Sequence, residues 1–210
     1  MNRSTRTLAL AALAPALLVA ACKKDSDANG GATDTTAVAA PTPAPTPAPT
    51  DTTAAAPSGT VSDAQIAAIV LAANTVDSTA GALAQQKSAN ADVKKFGQTM
   101  VTDHGGVNKQ AVALAGRLNL KPEENPTSTQ LTQGGEQSRT QLNGLSGAAF
   151  DRAYIDHEVE YHQTVLDAID KTLIPNAQNA DLKALLQQTR PAVAAHLEMA
   201  KGLQTKLQGS

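Results

Sequence analysis

The sequence predicts an all-α protein, a four-helix bundle with a long crossover between its second and third helices. Three observations carry that expectation. Beyond Val61, apolar residues recur at helical spacing in four long segments. No run alternates apolar and polar residues as a half-buried strand would. The second and third segments are separated by a long connection containing Pro122, Pro126, Gly134 and Gly135, while the other two joints are short.

Helix A opens at Ser62, an N-cap with Gln65 three residues on, and runs to about Ser88. Its apolar stripe is Ile66, Val70, Ala73, Asp77, Ala80 and Ala84. Asn90 caps helix B, whose stripe runs Val93, Phe96, Met100, His104, Val107, Ala111, Leu114 and Leu118. Lys121-Pro122 and Asn125-Pro126 end that region. A weaker segment, Ser128 to Leu142, is expected as a short helix within the connection. Ser146 is the expected N-cap of helix C, with stripe Ile155, Val159, His162, Leu166, Ile169 and Leu173, and Pro175 is expected to stop it. Helix D spans about Asn179 to Leu207, with stripe Leu182, Leu185, Thr189, Val193, His196, Ala200, Leu203 and Leu207. Pro191 inside it predicts a kink. This arrangement is the ferritin-like kind of bundle.

Composition agrees. Hydrophobic residues make up 41% of the 210 residues but aromatics only 2%, with no Trp. A core of Ala, Val and Leu implies helices that approach closely. The net charge of −2 gives no basic surface for nucleic acid. A single cysteine excludes an internal disulfide and a zinc–thiolate cluster.

That cysteine, Cys22, closes a segment of a different kind. Arg3 and Arg6 precede an uncharged Ala/Leu-rich run from Thr7 to Ala21, which ends in Val19-Ala20-Ala21-Cys22. The run is short for a membrane span of about 20 residues. Residues 1–21 therefore predict a lipoprotein signal peptide, resembling the bacterial lipobox, with Cys22 lipidated and the membrane as its partner. Each buried methylene of the acyl chains contributes about 0.8 kcal/mol. By resemblance to Gram-negative lipoproteins, Lys23 after the cysteine points to the outer membrane, with the domain facing the periplasm. Residues 22–60 read as a disordered tether whose Pro41–Thr50 repeat favours polyproline II. Stretched, it reaches roughly 100 Å. Residues 61–210 form the expected bundle domain.

Four ionisable residues interrupt the apolar stripes: Asp77, His104, His162 and His196, one per helix. Each lies near its helix midpoint, within roughly 4–5 Å along the axis. Antiparallel packing brings midpoints to one level, so all four side chains are expected to meet. Glu158, one turn before His162, can join them. Imidazole and carboxylate together bind zinc, iron, manganese or copper. A metal-free network in which these groups satisfy one another accounts for the same pattern and stands as the first reading. Asp103 points about 100° from His104, as a solvated or supporting residue. His157 falls with Phe150, Tyr154 and Tyr161 on a flank of helix C. Asp151, Asp156, Glu160, Asp167 and Asp170 read as a solvated acidic face. No nucleophile elbow or phosphate-cradling glycine loop is present.

The strings Lys94–His104 (KKFGQTMVTDH), Leu145–Tyr154 (LSGAAFDRAY), His162-Gln163 and His196-Leu197 resemble the bacterial envelope family called domain of unknown function 4142. The acidic residue of that family's first helix matches Asp77. The resemblance implies a ferritin-like helical fold and export, and no agreed activity. Di-iron proteins of this architecture use Glu-x-x-His on two helices. Here Glu158 and His162 are four apart and helix D has no such motif, so a ferroxidase centre is not expected and a His-rich mononuclear site stays open. Three functions follow in order: a non-enzymatic envelope binding or interaction protein, a metal-binding protein, and last a metal-dependent oxidase.

Overall fold

A computed structural model describes residues 60–209. The expected signal peptide, Cys22 and the proline repeat lie outside the described residues. The described chain is helical throughout, without strands: α1 (Asp63–Lys87), α2 (Ala91–Arg117), α3 (Pro126–Asn143), α4 (Gly147–Ala168), a π-helical segment (Ile169–Leu173), α5 (Ile174–Asn176) and α6 (Ala180–Gln208).

Side-chain caps start most of these helices. Ser62 and Gln65 form the expected capping box, and Asn90 and Asn179 each accept two backbone N–H bonds. Ser146 occupies the cap of α4 but makes no capping bond. The chain enters α4 through Gly147 at φ 56°, a left-handed entry that only glycine takes without strain. α2 ends before the prolines, in a Schellman turn: Asn119 sits at φ 51°, Leu120 N–H donates to Ala115 O and Asn119 N–H to Gly116 O.

The connection differs from the expectation of a weak short helix. Pro126 does not only end what precedes it; it is the first residue of an 18-residue helix capped by Asn125. Gly135 marks where α3 presses on α1, since a Cβ there would lie 2.5 Å from a methyl of Val76. Pro175 likewise does not stop the third bundle helix. The π-helical widening, with Ile174 N–H bonded to Ile169 O, takes the chain past the proline into α5. α6 is unbroken through Pro191, whose missing N–H orphans a carbonyl on exposed Gln187.

Contacts at the ends fix the topology. Asp63 accepts from Gln178 N and Asn179 N, and Glu123 N donates to Ala64 O, so the start of α1, the end of α2 and the start of α6 share one end. Lys87 bonds Asn143 O, and Lys206 pairs with Asp92, at the other. α1 and α6 thus run one way and α2 and α4 the other, with α3 as the crossover along the bundle. α1, apolar enough by composition to cross a membrane, is packed against α2, α3 and α4. α1 and α2 touch backbone to backbone at Gly81 and Gly97; a Cβ on either would lie 2.6 or 2.7 Å from the other's carbonyl oxygen.

The core has two apolar halves. One gathers Ile66, Val70, Leu114, Ile169, Leu182 and Val193; the other Phe96, Met100, Phe150, Tyr154, Ile155 and Ala200. Phe150 and Tyr154, expected on a flank, are wholly buried, and Asp151, expected in water, is buried too.

Candidate metal centre

Between the two apolar halves lies a polar belt of Asn74 and Asp77 from α1, His104 from α2, Glu158 and His162 from α4, and His196 from α6, every one buried. Apolar burial drives the four helices together, and the midpoint polar residues are carried in with them. The three imidazoles converge: ring centroids are 5.1 Å apart for His104–His196 and 5.5 Å for the other two pairs. One nitrogen of each lies within 4.8 Å of the others. Asp77, Glu158 and His162 form a second such group, sharing His162. All five residues expected to meet are therefore brought together.

The belt assigns a direction to each ring. Asn74 Nδ2 donates to Val70 O at 2.7 Å, which turns its Oδ1 to accept from His104 Nδ1–H at 2.8 Å. His162 Nδ1–H donates to the Glu158 carbonyl at 2.9 Å. His196 Nε2–H donates to Asp103 Oδ2 at 3.0 Å. Each of these partners only accepts, so a hydrogen sits on the outer nitrogen of each ring. His104 Nε2 and His196 Nδ1 then face each other across 3.2 Å with lone pairs and no hydrogen between. His162 Nε2 is buried with no hydrogen-bond partner.

The carboxylates lie behind the rings, on the Nδ1 side. Asp77 Oδ2 is 3.4 Å from His104 Nδ1, and Asp77 Oδ1 is 3.9 Å from His162 Nδ1. Glu158 Oε2 is 3.2 Å from His162 Nδ1, close enough for an ion pair but without hydrogen-bond alignment; neither Glu158 oxygen is hydrogen-bonded. Glu158 is 0% exposed and His162 1%, so these groups meet no solvent.

Their electrostatics follow from burial and neighbours. Burial opposes charge on His162, but the Glu158 and Asp77 carboxylates outweigh it and hold its pKa up at about 9. Burial pushes His104 down to about 3, helped by His162 and His196, and lowers His196 against the pull of Asp103. Burial raises Asp77 well above the usual carboxylate range, with Glu158 adding to it and His162 opposing. Burial, then Glu158, raises the Tyr154 phenol, whose oxygen is unpartnered. The belt thus favours positive charge at His162 and leaves His104 and His196 neutral, with lone pairs available. The cluster could hold a metal ion.

Sequence reasoning missed Asn74 and the burial of Tyr154. Asn74 lies three residues before Asp77 on the same face of α1, and that spacing was the available signal. Asp103, expected as solvated or supporting, supports His196. His157 is half-buried beside Tyr161 with ring centroids 5.5 Å apart, a boundary position as expected.

The model of a family described as Domain of unknown function (DUF4142) matches residues 48–203, well over half of the chain. No curated protein and no solved structure matches it.

Proposed function

The chain belongs to the domain of unknown function 4142 family, and from that premise we propose that it is a non-enzymatic envelope lipoprotein whose ferritin-like bundle binds one transition-metal ion. Cys22 carries the lipid, residues 22–60 give the reach, and the domain works in the periplasm from the outer membrane. The ion takes His104 Nε2, His196 Nδ1 and His162 Nε2.

One observation carries the reading: each imidazole has its outer N–H committed to an acceptor, leaving two lone pairs opposed at 3.2 Å and a third nitrogen buried without a partner. A metal-free network would place a hydrogen in that gap. Metal–nitrogen bonds near 2.1 Å on a tetrahedron put ligand nitrogens roughly 3.4 Å apart, close to the His104–His196 separation. In this reading Asn74, Asp103 and the Glu158 carbonyl orient the rings, and the Asp77, Glu158 and Asp103 carboxylates place negative charge behind them, the usual role of groups around a metal's ligands. Imidazole donors suit zinc, copper and iron better than magnesium or calcium.

Elemental analysis of untagged protein tests this. About one equivalent of a transition metal is expected, as the single three-imidazole centre implies. His104→Ala, His162→Ala and His196→Ala should each lose it. Unchanged metal content in all three variants, or none in the parent after metal loading, leaves only the hydrogen-bonded network.

A further inference from the structure

Beneath the polar belt, in the half of the core that holds α5, the packing is incomplete. A cavity of about 80 Å³ lies there. Val70, Val165, Ile169, Leu186 and Val193 are among the aliphatic side chains of its wall, and Asn74, Asp77 and His104 border it from the belt. Its exposed wall is almost wholly apolar, because the Thr164 and Thr189 hydroxyls donate to the Glu160 and Leu185 carbonyls, and apolar cavities stay dry. An apolar cavity that takes benzene or xenon measures about 150 Å³. This one is roughly half that size, which sets its occupant at a few heavy atoms.

The cavity also has an approach. A cleft of about 840 Å³ separates α3 from α4. Ile69, Thr127, Leu131, Thr164, Ala168 and Leu173 line both the cleft and the cavity, so the two adjoin beneath α3. The π-helical segment contributes Ile169 and Leu173 to the inner wall. The widened turn thus falls where the space opens, a common placement for π-turns at functional sites.

We propose that this cavity binds a small apolar molecule of diatomic-gas size, admitted between α3 and α4 and delivered against the His104–Asp77 edge of the belt. An encounter there with a metal ion rests on the function proposed above; occupancy of the cavity does not.

Xenon is the probe, read by methyl NMR on the full chain, with metal and after chelation. Saturable shifts are expected at Val70, Ile169, Leu186 and Val193 in both states. Val193→Phe, which fills the cavity, should abolish them; if it does not fold, Ala168→Leu at the half-buried neck should do the same. No saturable shift in the parent, or full shifts retained in a folded filled variant, overturns the proposal. Xenon binding in a chain that takes up no metal leaves this inference standing and removes the metal site. Metal uptake without xenon binding does the reverse.

Discussion

His162 is the residue on which the polar belt turns, because it alone touches both carboxylates and both other imidazoles. In the metal-free fold its pKa is held near 9, above the ordinary 6.5. The folded state therefore keeps a proton that the unfolded chain gives up. That contribution is whole below pH 6.5 and lost as the pH rises through 9; Asp77, also raised, acts in the same direction. Urea denaturation of chelated protein from pH 6.5 to 9.5 should show stability falling by on the order of 3 kcal/mol, and His162→Gln should flatten the slope. Asp103 tests the rings from outside. Its carboxylate sets which nitrogen of His196 carries hydrogen, so Asp103→Ala should weaken metal binding by about 10- to 100-fold. Competition titration against a chelator reads this, and Asp156→Ala, on the exposed face of α4, should leave affinity unchanged. The three histidines and Asp77 were legible in the sequence because they break apolar stripes at helix midpoints. The ring directions were not, since they depend on partners such as Asn74 and Asp103 that only the packed belt selects.

Among the helices, the closest approach is at Gly81 and Gly97, where α1 and α2 meet through their backbones. A methyl group there strikes a carbonyl oxygen rather than a flexible side chain. Gly81→Ala should destabilise the fold by about 1–3 kcal/mol or more by overpacking, against a gain in helix propensity of at most about 1 kcal/mol. Gly134→Ala, which meets open space, should stabilise α3 slightly. Caps separate in the same way. Asn179→Ala removes two accepted N–H bonds and should cost about 1 kcal/mol, whereas Ser146→Ala removes none and should be nearly neutral. Thermal or urea unfolding of the four variants reads these differences. Local signals gave α1, α2 and α6 almost to the residue. α3 was underestimated because Asn125-Pro126 reads equally as a stop and as a cap followed by a first helical proline. The third bundle helix outran its expected stop because the effect of Pro175 depends on a π-turn that residue types do not announce.

For the whole molecule, the consequence is a core divided by charge. Two apolar clusters would pack more favourably as one, and the belt between them holds buried carboxylate and imidazole atoms without hydrogen bonds. Leaving buried polar groups unpaired costs roughly 1–3 kcal/mol apiece. On the proposed function a cation at the centre would offset that cost and couple binding to stability. Metal at a hundred times its dissociation constant should add about 2.7 kcal/mol, and chelation should lower Tm correspondingly. The all-α topology was legible as a whole because one long connection separated two short-looped helix pairs. The cavity was not, since a packing gap belongs to no single residue. X-ray absorption fine structure of the metal-loaded chain bears most directly on the central claim. Three imidazole nitrogens at about 2.1 Å, with at most one oxygen beside them, is the result expected. A shell of oxygens alone, or no ion retained after dialysis, would contradict it.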